Sequence, residues 1–168
     1  MDKLVLHPTD TAQWQALLNE AQVARHCMLT EDIESYLVFL LMRFASRPEL
    51  ANSILAIDFL SSHADSSQTS CEKMQDIGDK SLLFSGLFPG LAEKRCVNVG
   101  YFIDIGKTAY ANVSNYSTAN VTELFAELSQ DFVLMMEVLQ ATRDISTLTW
   151  QEQLDQWVIT AREGKIQH

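Results

Sequence analysis

Basic residues, cysteines and long apolar segments are all scarce in this sequence. Its 168 residues include 12 Lys and Arg against 22 Asp and Glu, a formal net charge of −10 with His neutral. Phosphate recognition needs clustered Lys and Arg side chains, and an anionic membrane surface attracts the same residues. The composition therefore argues against nucleic acid and against a membrane as partners.

Only three cysteines are present, Cys27, Cys71 and Cys96. An odd number without regular spacing is typical of reduced thiols in a cytosolic protein and not of a disulfide framework. The longest apolar run, residues 36–42, has seven residues, whereas a bilayer-spanning helix needs about 20. No basic region followed by an apolar core is found near Met1, so we expect no signal peptide and a soluble, cytoplasmic protein.

Hydrophobic residues make up the ordinary globular share of 47%, enough for one core in a single domain spanning residues 1–168. Apolar residues recur at helical spacing along most of the chain. Five such stripes contain Trp14, Leu17 and Leu18; Ile33, Leu37 and Leu41; Leu50, Ile54 and Ile57; Val121, Leu128 and Leu139; and Trp150, Leu154 and Trp157. The sequence predicts an all-α, single-domain bundle of six or seven helices.

The stripe at about residues 120–142 differs from the others because most of its circumference is apolar. A helix of that kind belongs at the centre of a fold or in a subunit interface. We therefore predict that the bundle packs around this helix. Residues 61–70, five of which are serine, separate the helical segments and are predicted to form a loop.

Residues 97–105 are ambiguous, because β-branched and aromatic residues alternate there with small and polar ones as in a strand. A lone strand leaves its backbone groups unpaired, and only residues 4–6 offer a short partner. A helix continuing to about Asn112 is the favoured prediction, and a short strand is the alternative.

Residues 75–107 form a distinct middle region with four acidic residues, four basic residues and five of the six glycines. Two explanations stay open: the glycines allow close helix packing and turns, or the region lines a ligand pocket. Charges of both signs are costly to bury unless they are paired or used. If the segments on either side of Pro89 and Gly90 pack antiparallel, their polar groups converge. The candidate ligand- or partner-binding residues are Asp76, Asp79, Lys80, Tyr101, Asp104 and Lys107.

Motifs of catalysis and cofactor binding are missing from the sequence. Five residues separate Gly100 from Gly106, ahead of a Lys-Thr pair, where a phosphate-binding loop needs four. No Glu-x-x-His pair occurs, although a carboxylate-bridged metal centre in a helical bundle requires it. The Gly-x-Ser-x-Gly nucleophile motif is also absent. We predict no catalytic residue, no metal and no cofactor.

These observations favour a binding or protein-interaction module over an enzyme. The partner is another protein or a second copy of the chain, because the apolar residues around 132–139 and the face with Trp150 and Trp157 predict a homodimer. The alternative is a small-molecule-binding protein or enzyme with a pocket formed by residues 76–110. The two functions differ in whether the polar groups of the middle region converge in a closed pocket or lie on a surface.

Overall fold

A computed structural model describes residues 11–47, 49, 54, 70–90 and 98–145 of the chain. These residues form six α-helices and contain no strand, which confirms the all-α fold class. The helices are α1 Thr11–Ala24, α2 Glu31–Ser46, α3 Cys71–Leu87, α4 Val99–Tyr116, α5 Ala119–Gln130 and α6 Phe132–Ile145. None of these described helices is long and apolar enough to cross a bilayer.

Three predicted elements lie outside the described residues: most of the stripe at 50–57, the serine-rich loop apart from Ser70, and the helix that carries Trp150 and Trp157. Ile54 is described and is helical and buried. Ser70 caps α3, because its side chain accepts a hydrogen bond from the backbone N–H of Lys73 at 3.3 Å.

The ambiguous segment at 97–105 is helical from Val99 onward, so the favoured prediction is confirmed. The Asn98 side chain caps the start of α4 by accepting a hydrogen bond from the backbone N–H of Gly100 at 2.8 Å. Asparagine is among the residues preferred at this position. The helix ends at Tyr116, beyond the predicted end near Asn112.

The structure divides the predicted helix at 120–142 into α5 and α6, which meet at Asp131. The Asp131 backbone N–H donates to the carbonyl of Glu127, and the Asp131 carbonyl accepts from the N–H of Met135, both at 2.9 Å. Apolar spacing does not reveal such a break, because buried residues recur at helical spacing on both sides of it. Among the described helices, α3 has the longest buried stretch, with ten buried residues between Ile77 and Leu87.

The chain divides into two compact units, residues 1–56 with 138–168 and residues 57–137. The single domain over residues 1–168 stays a prediction. In the first unit α1 and α2 form an antiparallel hairpin. The Thr11 hydroxyl donates to the Met42 sulfur at 3.6 Å near one end, and Nε2 of Gln22 donates to Oε2 of Glu34 at 2.9 Å near the other. The buried residues of this hairpin include Trp14, Leu18, Leu37, Leu41 and Phe44.

In the second unit α3 and α4, on either side of Pro89 and Gly90, also pack antiparallel. Asp79 of α3 is hydrogen-bonded to Tyr110 of α4. Phe84 comes later than Asp79 in α3, and its ring centroid lies 4.6 Å from that of Phe102, which comes earlier than Tyr110 in α4. The two contacts therefore advance in opposite directions along the two helices.

Helix α5 returns along the other side of α4. The Ser114 hydroxyl donates to the carbonyl of Thr122, and the Ser129 hydroxyl donates to the carbonyl of Lys107, both at 2.8 Å. Hydroxyl groups thus satisfy carbonyl oxygens between the two helices as well as within them. Helix α4 is held between α3 and α5, which leaves one side of it facing solvent.

Candidate functional site

A buried carboxyl group lies between α3 and α4. Asp79 is 1% exposed, and its Oδ1 accepts a hydrogen bond from the Tyr110 hydroxyl at 2.7 Å. Tyr110 is itself fully buried, and its ring centroid lies 5.9 Å from that of Phe125 and 6.0 Å from that of Phe132. Because bulk water does not replace the phenol at this depth, the hydrogen bond fixes the position of α4 against α3.

Two glycines provide the space for the aromatic rings around this contact. A Cβ atom on Gly78 would lie 2.6 Å from Cε1 of Tyr110, and one on Gly106 would overlap the ring of Phe132. Close-packed side chains do not tolerate such approaches without displacement. At Gly78 and Gly106, helix packing is therefore the confirmed reason for glycine in the middle region.

Two serine side chains of α3, those of Ser81 and Ser85, are buried. The Ser85 hydroxyl donates to the carbonyls of Ser81 and Leu82, at 2.8 and 3.2 Å. The Ser81 hydroxyl, one helical turn from Gly78, is fully buried and has no hydrogen-bond partner among the residues that the structure describes. A buried hydroxyl normally finds a partner in protein or ordered water.

The edge of α3 carries an ion pair. Nζ of Lys80 lies 2.8 Å from Oδ2 of Asp76, one helical turn away. The Lys80 side chain is mostly buried, while the Asp76 side chain is about half exposed. Pairs at this spacing contribute about 0.2–0.5 kcal/mol on an exposed helix. Although Lys80 is mostly buried, the pair joins two residues of the same helix.

The solvent-facing side of α4 carries a second set of polar and aromatic residues. Tyr101 is 51% exposed and Tyr116 is 73% exposed. Asp104, Thr108 and Asn115 are also exposed and follow Tyr101 at helical spacing. We call these five residues the α4 surface.

The six predicted residues thus occupy three places. Asp76 and Lys80 pair on the edge of α3, Asp79 is in the interior, and Tyr101 and Asp104 lie on the α4 surface. Lys107 is half-buried beside that surface, and its backbone carbonyl accepts the hydrogen bond from α5.

Tyr110 is the partner of Asp79 that the candidate set left out. Its signal was available in the sequence, because Phe102, Ala109 and Val113 put Tyr110 on the inner face of α4 at helical spacing. A tyrosine on a buried face needs a hydrogen-bond partner for its hydroxyl, and this requirement points to a polar residue on a neighbouring helix.

The described residues contain no group of three or more His, Cys, Asp or Glu side chains that could hold a metal ion. Comparison of the chain with protein-family models, with curated proteins and with solved structures gave no significant match.

Proposed function

We propose that this protein is a protein-interaction module that binds through the α4 surface, with a second copy of the chain as its partner. The exposure of Tyr101 and Tyr116 carries the proposal. The other five aromatic residues described between residues 70 and 130 are at most 5% exposed. Tyrosine is enriched in protein interfaces because its ring supplies apolar contact area and its hydroxyl stays hydrogen-bonded.

The pattern of the α4 surface suits pairing with itself. The two tyrosines lie about 22 Å apart along the helix, and the residues between them include Thr108 and Ala111, whose side chains are small. An antiparallel pair of α4 helices related by a two-fold axis would cross at these small residues. Each Tyr101 would then lie beside Tyr116 of the second copy.

Asp104 is part of the same contact in this proposal, with Lys107 at its edge. Asp79 has a different role: it is too deeply buried to reach a partner and instead fixes α4 through Tyr110. The dimer surface predicted around residues 132–139 has less support. In the described part of that segment Met135, Met136, Val138 and Leu139 are buried, and the exposed residues are Val133 and Glu137.

Sedimentation equilibrium tests the proposal. The chain has a mass of 19.0 kDa, and we expect the apparent mass to rise toward twice that value as the concentration increases. Replacing Tyr101 and Tyr116 together by Ala should raise the dissociation constant about tenfold or more, as expected when two interface anchors are lost. Phe39→Ala is the matched control, since Phe39 is an exposed aromatic residue on α2. A mass that stays at that of the monomer at every concentration contradicts the proposal.

A second candidate function, small-molecule binding beside Ser81 of α3, is favoured by one observation. The Ser81 hydroxyl is fully buried without a hydrogen-bond partner among the described residues, on the same helix as Asp79. A polar ligand would satisfy it. Native mass spectrometry separates this function from the first, because a bound molecule adds a constant mass to the chain. The unmodified mass of the chain alone contradicts it.

A further inference from the structure

We propose that the turn between α1 and α2 binds a cationic, amphipathic segment of another protein. The surface consists of two exposed apolar residues, Val23 and Met28, and of three exposed acidic residues that lie three or four positions from them in the sequence, Glu20, Glu31 and Asp32. We call it the turn patch. It lies in the first unit, whereas the α4 surface lies in the second.

Val23 and Met28 are the most exposed large apolar residues of the described chain, at 74% and 87%. Near the same turn, other apolar residues of the two helices are buried. Leu17 and Leu18 of α1 and Ile33 of α2 are at most 2% exposed. Exposed apolar side chains at the same end of a well-packed hairpin are typical of a binding surface.

Hydrogen bonds hold the turn in one conformation. The N–H of Cys27 donates to the carbonyl of Gln22 and the N–H of His26 to that of Val23, at 3.0 and 3.1 Å. This pair of bonds is the Schellman arrangement, in which His26 takes the left-handed conformation with φ of 53°. The Gln22 side chain also accepts from the N–H of Leu29 at 2.8 Å. Met28 is therefore presented on an ordered turn, which lowers the entropic cost of binding.

The acidic charge around the turn patch indicates a partner that carries basic residues. Residues 20–32 carry three acidic residues and one basic residue, Arg25, and the whole chain is strongly acidic. Acidic residues in the first turn of α2 also favour the helix through its dipole, but this role does not account for the exposed apolar residues beside them. A partner segment with Lys or Arg on either side of an apolar face would complement both features. An anionic membrane would be repelled.

A synthetic amphipathic helix of Leu and Lys, about 14 residues long, is the probe. Fluorescence anisotropy of the labelled peptide is measured in low salt, with the same peptide carrying Glu in place of Lys as a comparison. We expect the Lys peptide to bind and the Glu peptide not to bind. Replacing Val23 and Met28 together by Ser should weaken binding about tenfold or more. Phe39→Ser, which changes an exposed apolar residue outside the turn patch, should leave it unchanged.

A second pair of variants separates the turn patch from the net charge of the chain. Glu31→Lys with Asp32→Lys should weaken binding about tenfold or more. Glu72→Lys with Glu123→Lys makes the same change in net charge on exposed residues of α3 and α5, and should weaken binding much less.

A further measurement uses the wild-type chain and needs no variant. On titration with the Lys peptide, the changes in amide chemical shift should concentrate at residues 20–32. Equal losses from the two charge reversals, shift changes spread over the chain, or no binding of the Lys peptide would each overturn the proposal.

Discussion

Replacing Tyr110 by Phe is the most direct test of the contact between α3 and α4. The change removes one oxygen atom, the donor of the 2.7 Å hydrogen bond to Oδ1 of Asp79, and leaves the ring in its packed position. Leaving a buried acceptor without its donor costs about 1–3 kcal/mol, and a carboxyl group that is 1% exposed does not regain the lost donor from bulk water. We expect the free energy of unfolding to fall by this amount.

Thermal unfolding of dilute protein, followed by far-UV circular dichroism, measures the loss. For a chain of this size about 1 kcal/mol shifts the Tm by about 2–4 °C, so the variant should melt about 2–12 °C below the wild type. Tyr116→Phe is the matched control, because it removes the same atom from an exposed residue of the same helix. Its free energy of unfolding should change by less than about 0.5 kcal/mol. Equal melting of the two variants would refute the structural role given to the Asp79–Tyr110 hydrogen bond.

Three further changes have defined expected outcomes, all measured by chemical denaturation. Gly106→Ala should destabilise the protein by about 1–3 kcal/mol, because the new methyl group would overlap the aromatic ring that Gly106 contacts; Gly90→Ala, with no atom within 4 Å of the new Cβ, should not. His26→Gly should stabilise the protein by about 0.5–1 kcal/mol, since glycine adopts the left-handed conformation without strain, whereas Arg25→Gly should not stabilise it. Asp104→Asn should change stability by less than about 0.5 kcal/mol, because Asp104 is exposed.

The helices of this protein could be predicted from the sequence because their signals are local. The α1 and α2 stripes place Trp14, Leu37 and Leu41 on inner faces, and all three are buried. The helix over residues 99–105 is predictable from a physical argument about unpaired backbone groups, although the alternation at 97–105 favours a strand. The break at Asp131 was missed, because buried residues recur at helical spacing on both sides of it.

The placement of the candidate site residues depends on contacts between helices, which one sequence does not supply. Asp76 and Asp79 are three residues apart on α3, and a helical wheel puts them on neighbouring faces. The packing of α4 separates them: Asp76 stays at the edge with Lys80, while Asp79 lies under Tyr110. The decisive quantity is the register of α4 against α3, which Gly78 sets by admitting the Tyr110 ring.

The arrangement accounts for four of the ionisable residues that the structure describes in the middle region, Asp76, Asp79, Lys80 and Asp104. The Lys80 side chain, which is mostly buried, pairs with Asp76, and the buried Asp79 is hydrogen-bonded to a phenol. Charged groups next to a packed helix interface are retained where each has such a partner. Asp104 is exposed on the other side of α4 and needs no buried partner. The region therefore combines an interior that fixes α4 with an exposed exterior. A substitution that acts only through the proposed α4 surface should alter association while leaving the melting temperature of the monomer unchanged.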